Sequence, residues 1–234
     1  MSSFRRFTIG LCLVMISMVG IVETGNRQSV PPPESLGPND VMPIFEMLRE
    51  GGDRTLAEAN EEKKRKHEER KRANPKLKSE FYPYRQYIVA IVVSRKEIED
   101  VRKTSKEGRD SFYELLQKEG RHVFQINERS KEKPPCAEEP CGKRPNYPWH
   151  GEVIAIHKQR FDKAIKQFLD KQKGKHPILL LYSHYIPCAK LPSTFGYSCS
   201  EELATFKKKN RNLKMFVAFS RYFFKLMAEL HTTS

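Results

Sequence analysis

Tyr87-Ile88-Val89-Ala90-Ile91-Val92-Val93 is an unbroken apolar, largely β-branched run. With no polar residue alternating through it, the run predicts a strand covered on both faces. Ile98 to Lys118 carries helical spacing with a break near Lys106-Glu107-Gly108, and His122-Val123-Phe124-Gln125-Ile126 predicts a second, shorter strand that leads into a Pro- and Cys-containing loop through Pro148. After His150-Gly151-Glu152, the residues Val153, Ile154, Phe161, Ala164, Ile165, Phe168 and Leu169 keep to one face of a helix that ends by Gly174. Ile178 to Tyr182 reads as a buried strand and Met215 to Phe219 as a fourth. Between them Ser198-Cys199-Ser200-Glu201 has the form of a capping box, which puts Cys199 at the first helical position ahead of Leu203, Ala204 and Phe206. Lys225 to His231 is helical in composition. Strands alternating with helices predict an α/β fold.

The stretch before these elements is different. Residues 26–78 hold Pro31-Pro32-Pro33, Gly37-Pro38 and Gly51-Gly52, then the charged run from Glu61 to Arg72. They read as a charged, low-complexity linker: opposite charges at three- and four-residue spacing support an exposed helix without a partner. Val41 to Leu48 adds a short amphipathic turn. The globular part is expected from residue 79 to 234.

Composition sets the compartment and the class of partner. Arg5 and Arg6 precede the apolar run Ile9 to Val22, so residues 1–25 are expected to be a signal peptide and the remaining chain to be secreted. No later segment approaches the roughly 18 apolar residues of a membrane span. Losing the leader removes Cys12 and leaves Cys136, Cys141, Cys188 and Cys199 for an oxidising compartment. Cys136 and Cys141 flank a short loop that can close as a disulfide, while Cys188 and Cys199 can pair with each other or bind metal; four cysteines allow three connectivities. Lys and Arg number 43 against 29 Asp and Glu, a formal charge of +14, so the surface attracts polyanions.

The candidate chemistry lies in His150-x-Glu152, Pro187-Cys188 and Cys199. An imidazole and two thiolates suit zinc with a fourth position open, the arrangement of catalytic sites. Cys199 at a helix start is a good ligand because the helix terminus favours the thiolate. A carboxylate beside such a site can carry protons, the role proposed for Glu152. His184 stands close enough in sequence to replace a ligand. His67-Glu68-Glu69 repeats the H-x-E pattern, but with no strand before it and no Pro-Cys after it.

The order of elements, together with His150-x-Glu152, Pro187-Cys188 and Cys199, resembles the zinc-dependent cytidine deaminases of the AID/APOBEC-like branch. With the leader, it is most similar to the secreted AID/APOBEC-like members. The likeness spans roughly Tyr82 to Phe224, and in it the second cysteine gap is ten residues rather than two. It implies a cytidine-deaminase-like three-layer α/β/α sandwich, with the chain ending before the family's last helix and fifth strand, hence C-terminally truncated. It also implies Zn2+ held by His150, Cys188 and Cys199, with Glu152 as the catalytic proton carrier. The activity implied is hydrolysis of cytosine to uracil in single-stranded DNA or RNA, in host defence. Tyr185 takes the place of the aromatic that packs on the base, and Arg221, Tyr222 and Phe223 that of the loop contacting neighbouring nucleotides. A second reading is a non-enzymatic, secreted polyanion-binding protein on the same scaffold, with Lys207, Lys208, Lys209, Arg211 and Lys214 supplying the charge.

Overall fold

The computed structural model describes residues 36–76, 80–130, 147–185, 187 and 198–221. In chain order these form α1 (Pro38–Ala73), β1 (Tyr87–Val93), α2 (Arg95–Arg102), α3 (Lys106–Lys118), β2 (His122–Ile126), β3 (Glu128–Ser130) and β4 (Tyr147–Trp149). There follow α4 (Gly151–His157), α5 (Arg160–Lys171), β5 (Ile178–Tyr185), α6 (Cys199–Lys209) and β6 (Lys214–Arg221). The expectation for Lys225 to His231 lies outside the described residues.

Four strands make one mixed sheet in the order β2-β1-β5-β6. The central β1 runs antiparallel to both neighbours, while β5 and β6 are parallel. All seven residues of β1 are buried, as an apolar run without alternation demands. Its side chains split by parity. Tyr87, Val89, Ile91 and Val93 join a core with Ile44 and Leu48 of α1, Ile98 of α2 and Leu116 of α3. Ile88, Ala90 and Val92 join a second core with Ala155 of α4, Phe161 and Phe168 of α5 and Phe206 of α6. The protein is thus mixed α/β, with helices covering both faces of its sheet. β3 and β4 form a separate antiparallel pair, Glu128 opposite Trp149.

Two expectations change. The segment read as a linker is largely one 36-residue helix, α1, and its first part belongs to the core: Val41, Ile44 and Leu48 are fully buried. Gly51 and Gly52, taken as linker signals, are contact points. A Cβ on Gly52 would lie 2.3 Å from the Tyr87 ring and one on Gly51 2.5 Å from the Tyr113 ring, so only glycine lets α1 lie this close to β1 and α3. The charged half of α1 does continue as an exposed helix, laced by Arg65 to Glu62 and Glu69. The core therefore starts at Leu36 rather than near Glu80.

The helix expected from Glu152 to Gly174 is two helices. Between the apolar groups Val153-Ile154 and Phe161 to Phe168 stands the polar run His157-Lys158-Gln159-Arg160, where no side chain is bound to follow the core face. Here Gln159 takes a left-handed conformation, φ 53°, which ends α4 and starts α5. The break expected near Lys106 is present, and Ser94 and Ser105 cap the two helices it separates.

Candidate metal centre

At the sheet end where β1 begins and β5 finishes, α4 and α6 bring their first residues together. His150 is the N-cap of α4, Glu152 its second residue, and Cys199 the first residue of α6. His150 Nδ1 lies 3.2 Å from Cys199 Sγ, although 49 positions separate them in the chain. Candidate ligand atoms of His150, Glu152 and Cys199 all fall within 4.8 Å of one another, so the three can hold a metal ion. Glu152 is 1% exposed and Cys199 fully buried. An acid and a thiol withdrawn from water need polar or ionic partners, and a cation shared between them is one way to meet that need.

Local chemistry fixes each group. Ser198 accepts the Glu201 backbone N–H and starts α6, placing Cys199 at the positive end of the helix. Asn127, just past β2, accepts the Gly151 N–H at 2.8 Å and donates to Gln86, tying the start of α4 to the first strands. A Cβ on Gly151 would come within 2.9 Å of the Gln125 carbonyl, so glycine is what allows α4 to begin against the sheet. From the middle of the sheet Ser183 Oγ donates to Glu152 Oε1 at 2.8 Å, and this contact is buried.

Asn127, Gly151 and Ser183 were not singled out as supporting residues from sequence. Ser183 did carry a signal. It interrupts an apolar strand at a position that shares its face with Leu179 and Leu181, where a polar side chain needs a buried partner.

The other expected site residues are distributed as follows. Tyr185 ends β5 on the same side as Ser183 by the alternation of the strand, and its register partner is Arg221 at the end of β6. His184 faces the other way, with its ring 5.4 Å from that of Tyr87, whose side chain lies in the core beneath α1. The face opposite Glu152 is where strand parity puts it, so His184 does not replace a ligand. Cys188, Tyr222, Phe223, Cys136 and Cys141 lie outside the described residues; Pro187, one position before Cys188, follows the end of β5.

An open groove of about 510 Å³ flanks this end of the sheet, between the charged half of α1 and residues 80–84. Lys63, Lys66 and Arg70 line one wall, Tyr82 and Tyr84 the other. Asn60 fixes the second wall by accepting the Tyr84 N–H at 2.6 Å and donating to its carbonyl at 3.0 Å, and Lys63 sits 3.9 Å over the Tyr84 ring. Ile126 closes the groove and precedes Asn127, the residue bonded to Gly151. The charged run is an exposed helix, as its spacing predicts, and it lines a groove because residues 80–84 fold back on α1.

Comparison of the chain with protein-family models, with curated proteins and with solved structures finds no match. Among the described residues, no helix is long and apolar enough to cross a membrane. What fold and site define together is a mixed α/β protein with a buried candidate metal centre at one end of its sheet.

Proposed function

We propose that this protein is a secreted zinc-dependent deaminase of the AID/APOBEC-like kind, converting cytosine to uracil in single-stranded nucleic acid. The observation that carries the reading is the meeting of His150, Glu152 and Cys199, residues chosen for this chemistry from sequence and drawn from two helices. The central antiparallel strand, the parallel β5-β6 pair and the helices on both faces are compatible with the deaminase sandwich.

The donor set fits zinc. Imidazole nitrogen and thiolate sulfur are its preferred ligands, and a buried carboxylate beside them suits a catalytic rather than a closed site. His150 and Cys199 would hold the ion, with Cys188 as the second thiolate. Bound there, zinc supplies Lewis acidity that brings the pKa of a water to about 7.

The chain's own part is proton transfer and positioning. Water adds at the ring carbon that bears the amino group, and ammonia leaves, so cytosine and water give uracil and ammonia. Glu152 takes the proton from the attacking water and returns it to the ring nitrogen, then to the departing amine. Ser183 holds Oε1 and so orients the carboxylate that moves the proton. Tyr185 flanks the base. The groove, where Glu62 and Glu80 stand among Lys63, Lys66 and Arg70 and the rings of Tyr82 and Tyr84, would take neighbouring nucleotides of a single strand, with cations on the backbone and rings stacked on bases.

The test is uracil formation in a cytosine-containing oligonucleotide alongside zinc content. Glu152→Gln should keep zinc and lose roughly 10²–10⁴-fold in rate. A parent protein without zinc, or a Glu152→Gln variant as fast as the parent, would overturn the reading.

A further inference from the structure

The opposite end of the sheet, where β1 finishes and β5 and β6 begin, gathers cations from distant parts of the sequence. Val93 pairs with Ile178 and Ile178 with Lys214, which defines that end. It lies five strand positions from Ser183, roughly 17 Å along β5. The turn after α5 supplies Lys173 and Lys175, the end of α6 supplies Lys208 and Lys209, and the turn into β6 supplies Arg211 and Lys214. All six are exposed, and none takes a carboxylate partner among the described residues.

Of the carboxylates nearby, Asp170 at the end of α5 stands three positions before Lys173, and three others already hold a cation. Glu99 pairs with Arg95 at 2.8 Å, Glu97 with buried Arg121 at 2.8 Å, and Asp40 with Arg102. Although its residue is exposed overall, desolvation of the Lys214 ammonium, and then the neighbouring Arg95 guanidinium, hold it below its usual pKa against the opposing pull of Asp40. Uncompensated positive charge of this density lowers its own energy by recruiting a polyanion.

We propose that this face binds a sulfated polysaccharide. Its side chains read mainly charge: Phe206 and Phe216 at this end are buried, so in the described turns that carry these cations only the small ring of exposed His176 could meet a base. The cations stand on two turns and a helix end, not along one helix or ribbon that a nucleic-acid groove admits. Five of the six are lysines, flexible point charges that follow an irregular row of sulfates. The proposal is independent of the deaminase reading, since no residue of the candidate centre takes part.

The experiment measures the affinity of the full chain for a heparin oligosaccharide at several salt concentrations. The variant Lys208→Gln/Lys209→Gln/Arg211→Gln/Lys214→Gln is compared with Lys64→Gln/Lys71→Gln/Arg72→Gln/Lys76→Gln, which removes equal charge from exposed parts of α1 and the turn after it. Thermal melts confirm that both are folded. The first variant should bind roughly tenfold or more weakly, through loss of several exposed charge contacts, and show a shallower salt dependence. The second should stay close to the parent. Equal losses in the two variants would make binding a property of net charge and overturn the proposal. So would an absence of heparin binding by the parent, or tighter binding of this face to a DNA duplex of equal charge.

Discussion

Ser183, in the middle of the sheet, donates its hydroxyl hydrogen to Glu152 Oε1 at 2.8 Å, so the strand behind the candidate centre sets the direction of its buried acid. Removing the hydroxyl leaves the carboxylate in place but takes away the contact from the strand that orients it. On the proposed deaminase reading, Ser183→Ala should therefore keep bound zinc and lower uracil formation by roughly 10–100-fold, the effect typical of partners that orient metal-site residues. Zinc content and single-turnover rates on the same preparation check this.

His150→Ala and Cys199→Ser each remove one of two donors held 3.2 Å apart. If the centre holds metal as proposed, either variant should lose it while retaining far-UV circular dichroism, because the helices that carry these residues are anchored by Ala155, Leu203 and Phe206 elsewhere in the core. Metal analysis after dialysis against a weak chelator distinguishes both from the parent.

Gly151→Ala sets a methyl group 2.9 Å from the Gln125 carbonyl, a backbone atom that cannot swing away. A cost of about 1–3 kcal/mol is expected from such overpacking, together with weaker metal binding, because α4 must shift with its first residue. Gly52→Ala, whose methyl would meet the Tyr87 and Val89 side chains, should destabilise by a similar amount with metal affinity unchanged. Urea unfolding with a parallel zinc titration separates the two.

His122 bonds to Tyr113 at 2.8 Å, and burial lowers its pKa to about 4. Between its ordinary value near 6.5 and about 4, the unfolded chain takes up a proton that the folded chain refuses, so stability falls as the pH falls through that window. The loss is on the order of 3 kcal/mol when complete. In His122→Gln the slope of stability against pH from 6.5 to 4 should flatten, as read by urea midpoints across that range.

Local pattern made much of this protein legible. The β1 run is strand from Tyr87 to Val93 because seven apolar residues in succession have only one stable place, a sheet covered on both sides. The same holds for Cys199, which begins α6 because Ser198 supplies the cap to Glu201. His150, Glu152 and Cys199 could be named as partners because imidazole, carboxylate and thiol are few in kind and specific in chemistry.

Tertiary structure decided what local pattern left open. The stretch 38–73 has one local sign of a packed face, the amphipathic turn from Val41 to Leu48, which does not say what that face packs against. Its composition is charged on average, and only the fit of Gly51 and Gly52 against Tyr113 and Tyr87 brings its first half into the core. Ser183 became the partner of Glu152, and His184 turned away from it, through the parity of β5 in the sheet. Residue types and their spacing along the chain determine which chemistry is present and which elements form. Which groups meet depends on register and close approach between elements remote in sequence, and those are fixed only when the two cores pack.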